Sequence, residues 1–359
     1  MKIIDKKWEA VSINSIFTFE RGKEKNMAAL AEGNIPLVSA RKMNNGIKGF
    51  IANPAKTIKG GNVISLNNDG DGGAGLAYFQ PVDFALDTHV TALHPKEKIP
   101  VDALIYMTAS ISKQHSVFGH GRSISLPRAK RIQDMLPVTN EGKPDYKYMA
   151  TYTCNTRDSM LRRYRAYIRN CMTDIGQFSD IPKLSEKQWL PFKIVDLFTE
   201  IIPGKISNAS KFIKAESGGI EYVAATNRNN GCLYFFVNDE KIQPKTQKGN
   251  CIGFIKDGDG SAGYAIYKQE KFTSTVNVLY GYSDWLNKYN GMFFVVAQDM
   301  IADKYSHGYK RNQEHLKGDR VMLPTNNMNE PDYEYMEQYT KNMMLKKYKQ
   351  YLSFLDSKE

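Results

Sequence analysis

The chain is written twice. Pro144-Asp145-Tyr146-Lys147-Tyr148-Met149 returns as Pro331-Asp332-Tyr333-Glu334-Tyr335-Met336, and Leu136-Pro137 returns as Leu323-Pro324. Upstream, Phe118-Gly119-His120-Gly121-Arg122 aligns with Tyr305-Ser306-His307-Gly308-Tyr309, and Asp69-Gly70-Asp71-Gly72-Gly73-Ala74-Gly75 with Asp257-Gly258-Asp259-Gly260-Ser261-Ala262-Gly263. Asn44-Asn45-Gly46 matches Asn229-Asn230-Gly231, and Trp8 and Phe17 match Trp189 and Phe198. These landmarks keep one order and nearly one spacing. A repeat of roughly 180 residues is far longer than the units of a solenoid, so this is a tandem of domains. Each copy is long enough to bury its own core.

Within a copy most segments are strand-like. Asn62-Val63-Ile64-Ser65-Leu66 leads into the glycine run and Leu76-Ala77-Tyr78-Phe79 leads out; Cys251–Ile255 and Tyr264–Tyr267 do the same in the second copy. Short β-branched and aromatic runs bounded by Gly, Asn and Asp read as strands and turns. Asn45-Gly46 and Asn230-Gly231 are hairpin-turn dipeptides. Each copy then ends without Gly or Pro, with stripe residues three to five apart: Met149, Tyr152, Thr156, Met160, Tyr164, Tyr167 and Cys171, then Met336, Tyr339, Met343, Tyr348, Tyr351 and Leu355. That spacing predicts one apolar stripe on a long helix, N-capped by Asp145 or Asp332. Pairing the two helices with each other would cover both stripes. The predicted architecture is α/β (α+β), with two tandem mixed α/β domains and two long antiparallel spacer helices in a pseudo-two-fold repeat. The divisions are 1–144 (first domain), 145–180 (first helix and linker), 181–331 (second domain) and 332–359 (second helix).

Composition narrows the function classes. Lys and Arg total 49 against 38 Asp and Glu, a formal net charge of +11, which suits a polyanionic partner. No apolar run approaches a membrane span, and Met1–Lys7 does not read as a signal peptide. Cys154, Cys171, Cys232 and Cys251 form no metal-spaced pair and read as thiols in a reducing cytoplasm.

Motifs that suggest chemistry fail on context. The two Gly-x-Gly-x-x-Gly runs are followed by strand-like residues, whereas a dinucleotide fingerprint needs a helix there. Pro331-Asp332 with Asp356-x-Lys358 mimics a nuclease motif, but the two acids fall at opposite ends of one predicted helix and cannot share a metal. Nothing matches a P-loop or Gly-x-Ser-x-Gly. A chain with no catalytic constellation reads as a binder.

The segment Trp189-Leu190-Pro191-Phe192-Lys193-Ile194-Val195-Asp196-Leu197-Phe198, the run Gly258–Tyr264, and Leu136-Pro137 with Pro144–Met149 resemble target-recognition domains of restriction–modification specificity (S) subunits. The likeness covers both copies and is nearest to the type IIB BcgI-like sub-family, related to type I S subunits. The resemblance implies that each domain reads half of a split DNA site in the major groove while the helices set the gap. It also implies that methyltransferase or fused nuclease–methyltransferase subunits, with their S-adenosylmethionine and Mg, supply adenine methylation and cleavage, and that this chain is non-catalytic. Candidate DNA contacts are Arg41, Lys42, Asn44, His120, Arg122, Arg128 and Arg131 in copy one. In copy two they are Asn227, Arg228, Asn229, Lys256, His307, Lys310, Arg311 and Asn312. Arg and Lys suit guanine and Asn suits adenine. Because the loops differ between copies, two different half-sites are predicted. The competing readings are a tandem DNA-binding protein acting without a methyltransferase, an autonomous metal-dependent nuclease, and a protein–protein scaffold whose positive charge is incidental.

Overall fold

The computed structural model describes residues 6–25, 29–58, 61–70, 73–119, 121–258, 260–306 and 308–357. The chain divides into two compact units, 1–166 and 167–359.

The first unit runs β1 (Trp8–Ser12), α1 (Ile13–Ile16), β2 (Phe17–Arg21), β3 (Glu32–Val38), β4 (Ile47–Ile51), β5 (Thr57–Ile58), β6 (Val63–Asn67), β7 (Ala77–Gln80), β8 (Phe84–Leu86), β9 (Val90–Pro95), α2 (Val101–Ser112), α3 (Leu126–Ala129), β10 (Gln133–Pro137) and α4 (Tyr146–Ile175). Among the described residues its sheets have the orders β2-β9-β6-β7, β4-β3-β8-β5 and β1-β10. The β3–β8 pair is parallel and the others are antiparallel. Every residue of β6 is buried, as its central place in the sheet demands. Ile64, Leu66 and Leu93 pack there against Leu104, Met107 and Ile111 of α2.

The second unit repeats the plan with β11 (Trp189–Lys193), β12 (Glu200–Pro203), β13 (Ile220–Val223), β14 (Cys232–Phe236), β15 (Cys251–Ile255), β16 (Ala265–Lys268), β17 (Phe272–Ser274), β18 (Val278–Tyr282), α5 (Lys288–Asp299), α6 (Gln313–Gly318), β19 (Arg320–Pro324) and α7 (Tyr333–Asp356). Its sheets are β12-β18-β15-β16, β14-β13-β17 and β11-β19. The glycine runs join antiparallel neighbours, β6 to β7 and β15 to β16, and no helix follows them. The Asn-Asn-Gly turns close the hairpins β3–β4 and β13–β14, with Asn44, Asn45, Asn229 and Asn230 all at positive φ, where Asn and Gly are the tolerated residues.

Both long helices start where the sequence placed them. Asp145 Oδ1 accepts from the Tyr148 amide at 2.9 Å and Asp332 Oδ1 from the Tyr335 amide at 3.0 Å. Their second oxygens take Lys6 at 2.6 Å and Lys187 at 2.7 Å, residues that also correspond between copies. Asp332 is thus a helix cap and Asp356 the last residue of the same helix, which disposes of the nuclease-like motif.

The helices are less detached than the 145–180 and 332–359 divisions anticipate. Met149 and Met336 are fully buried in the two cores. Tyr152 meets Tyr106 edge-on at 5.7 Å, and Tyr339 meets Phe293 at 5.6 Å. The first turns of each helix belong to its own unit because the apolar face there covers α2 or α5. Farther along, Met160, Tyr164, Tyr167, Met343 and Tyr351 are exposed and Tyr348 half-buried, while Ile168, Ile175, Leu345 and Leu355 are buried.

Candidate nucleic-acid interface

Three loops of each unit are laced together at one end of its sheets. In the second unit these are the Asn-Asn-Gly turn, the glycine turn and the loop 305–312. Ser261 Oγ donates to Asn227 Oδ1 at 3.1 Å, joining the first two. Lys310 Nζ reaches Asp257 Oδ2 at 2.6 Å and the Arg311 amide donates to the Lys256 carbonyl at 3.0 Å, joining the last two. A Cβ on Gly258 would stand 2.1 Å from the Ala225 carbonyl oxygen, so glycine alone lets the turns approach this closely.

The first unit makes the same knot. Arg41's carbonyl accepts from Asn67 Nδ2 at 3.0 Å and from Tyr78 Oη at 2.9 Å, and the Ile124 amide donates to the Asn68 carbonyl at 2.6 Å. His89 lies 2.8 Å from Asp69 in this turn, and that hydrogen bond, against some burial, raises its pKa.

Most of the predicted contacts therefore come together. Lys42, Asn44 and Arg122 are exposed in the first knot and Arg41 is half-buried, its Nη1 donating to the Ile47 carbonyl. Arg128 and Arg131 are exposed at α3, with Arg128 Nη1 donating to the Ser123 carbonyl at 2.8 Å. In the second knot Asn227, Arg228, Asn229 and Lys310 are exposed and Lys256 is half-buried. Asn312 is exposed, but its side chain caps α6 by accepting from the His315 amide. His120 and His307 lie outside the described residues.

Arg311 is a correction. It is completely buried, with Nε 2.9 Å from Asp319 Oδ2 and Nη1 donating to Gln298 Oε1 and to the Gly263 carbonyl. A guanidinium spent this way cannot reach a base. Its polar neighbours Lys310 and Asn312 give it the look of surface, and burial leaves no local mark. Tyr309 and His315, absent from the candidate contacts, stack at 4.5 Å beside Lys310 with Tyr309 half exposed. The signal was Tyr309 standing where the other copy has Arg122.

The family of the type I restriction modification DNA specificity domain matches residues 5–160 and 186–352, once in each half. The chain belongs to this family. Its function is accordingly sequence recognition on DNA within restriction–modification. Over 343 residues it is 25% identical to the type II restriction enzyme BgcI specificity subunit S.BcgI of Heyndrickxia coagulans, covering 94% of both chains. It shares its fold with the type I restriction–modification S subunit of M. genitalium, at a TM-score of 0.53 and 16% identity over 99% of this chain and 94% of that one. Among the described residues no helix is long and apolar enough to cross a membrane.

Proposed function

We propose that this specificity-domain chain reads a bipartite, asymmetric double-stranded DNA site, one half with each three-loop knot. Partner methyltransferase or fused nuclease–methyltransferase subunits would carry out adenine methylation and cleavage with their own S-adenosylmethionine and Mg. The observation that carries the reading is one scaffold presenting different side chains at matched positions. Arg41-Lys42-Met43 stands where the other copy has Thr226-Asn227-Arg228, and Arg122-Ser123 where it has Tyr309-Lys310. A conserved frame with exchanged donors is what direct readout of two unlike half-sites requires. The net charge of +11 supplies the sequence-independent attraction to phosphate. α4 has 30 residues and α7 has 24, so at about 1.5 Å per residue they span roughly 45 and 36 Å, near one turn of B-DNA. That length supports a role as the ruler between half-sites. The complex would work in the cytoplasm, where the DNA is.

The test is long-read mapping of adenine methylation in the source cell with and without this gene. Loss of one gapped, asymmetric motif supports the reading, whereas an unchanged methylome in a cell whose methyltransferase partner is active overturns it. Grafting residues 1–144 from a related subunit should then replace one half-site and leave the other.

A further inference from the structure

Four positions beneath the second knot are polar where the first unit is apolar. Gln298, Tyr305, Arg311 and Asp319 stand at the places held by Ile111, Phe118, Ile124 and Ile132. The correspondence is structural as well as sequential. Ile124 and Arg311 each send their amide to the residue following the sheet's central strand, Asn68 or Lys256. Ser112 and Asp299, next to Ile111 and Gln298, each accept from the first amide of the following strand, Ala77 or Ala265.

The first unit shows that this space can be filled by hydrocarbon. The second unit fills it with a hydrogen-bonded network instead. Arg311 bonds Asp319, Gln298 and the Gly263 carbonyl; Tyr305 Oη lies 2.9 Å from both Asp319 oxygens; Gln298 Nε2 donates to the Gly263 carbonyl at 3.0 Å. Arg311's guanidinium also lies 5.2 Å from the Phe254 ring centre and 5.5 Å from that of Tyr305. Burying a pair of charges gains little stability over hydrocarbon of the same volume. What it supplies is direction, because each bond fixes an angle that apolar contact leaves free. The bonds fall on both ends of the loop carrying Tyr309 and Lys310, at Tyr305 and Arg311, and on the far end of the glycine turn, at Gly263.

We propose that Arg311 is a positioning residue: it touches no DNA, but locks the loop 305–311 onto the glycine turn, and so sets base discrimination in the second half-site alone. The inference rests on the knots being the DNA-reading surface.

Two readouts on the full-length chain separate the lock from that premise. The variant Gln298→Ile/Tyr305→Phe/Arg311→Ile/Asp319→Ile installs the first unit's own set. We expect it to melt near the wild type, yet to exchange backbone amides across 305–311 at least about tenfold faster, with the first unit's loops unchanged. In cells, its methylated motif should become degenerate in one half-site and stay intact in the other. Arg311→Lys keeps the charge but loses the planar fork, and should show the same changes if the quadruple variant does not fold. Wild-type amide protection in the loop with an unaltered motif would overturn the proposal. So would equal loss in both half-sites. Faster loop exchange together with a wild-type gene that directs no methylated motif would keep the lock and discard its role in reading DNA.

Discussion

Arg311 and Asp319 form a buried ion pair in the second unit at the two positions where the first unit holds Ile124 against Ile132. The same fold has thus solved one packing problem twice, with charge and with hydrocarbon. Removing one partner strands the other. Arg311→Met should destabilise the second unit by about 3 kcal/mol, whereas the fourfold apolar replacement should cost under about 1 kcal/mol. Urea denaturation of the full chain, followed by amide exchange in each unit, distinguishes these values.

The caps make a paired prediction. Asp145 and Asp332 each hold a helix start and a lysine from the beginning of the same unit. Asp145→Ala or Asp332→Ala should cost about 1–2 kcal/mol, and Asn in either place should recover most of the capping share. Burial alone would raise the Asp145 carboxyl, but the hydrogen bond from Lys6 and the Tyr148 amide bring its pKa below the usual value. Its contribution is therefore complete above about pH 4 and is lost as pH falls through the lower folded-state pKa. The acid limb of a stability profile should become shallower in Asp145→Asn.

Asp134 predicts the opposite slope. Its carboxyl is buried, and burial pushes it up to about 6 despite hydrogen bonds from Ser110 and Gln114 and the nearby Lys113. Between about pH 4 and 6 the native state binds the extra proton, so this group's contribution falls as pH rises through that window and then levels off. Asp134→Asn should flatten that stretch and raise the melting temperature at pH 8 relative to pH 4. An unchanged profile would place the carboxyl in water.

Gly263 sits at φ +89°, where a Cβ would meet Tyr305 Cδ2 at 2.6 Å and the Ala302 carbonyl oxygen at 2.7 Å. Gly263→Ala combines left-handed strain with a clash against backbone and should cost more than about 3 kcal/mol. Gly260, at φ +66° in open space, should lose only about 1 kcal/mol on the same change. Melting temperatures of the two variants rank them.

Much of this fold could be read from the sequence because the repeat preserves what backbone geometry demands. Asn-Asn-Gly recurs where three successive residues need positive φ, and Pro-Asp where a helix must start and be capped. The basic and amide candidates could be placed on loops in both copies, and most of them are exposed there, but the bonds that tie those loops together left no mark in the sequence. Arg311 could not be read, since a basic residue among polar neighbours carries no sign of burial. Only its alignment with Ile124, and of Asp319 with Ile132, marks it as interior. The reach of the helices was equally hidden: spacing identifies an apolar stripe but not where α2 and α5 cease to cover it.

The divided core also constrains how such a gene can change by descent. An exchange between the two copies whose breakpoint falls between the codons for 311 and 319 would join Ile to Asp or Arg to Ile. Either product carries a lone charge in a sealed interior. Viable shuffling must carry 311 to 319 as one block, so the end of the loop that meets the outside and the ion pair beneath it are inherited together.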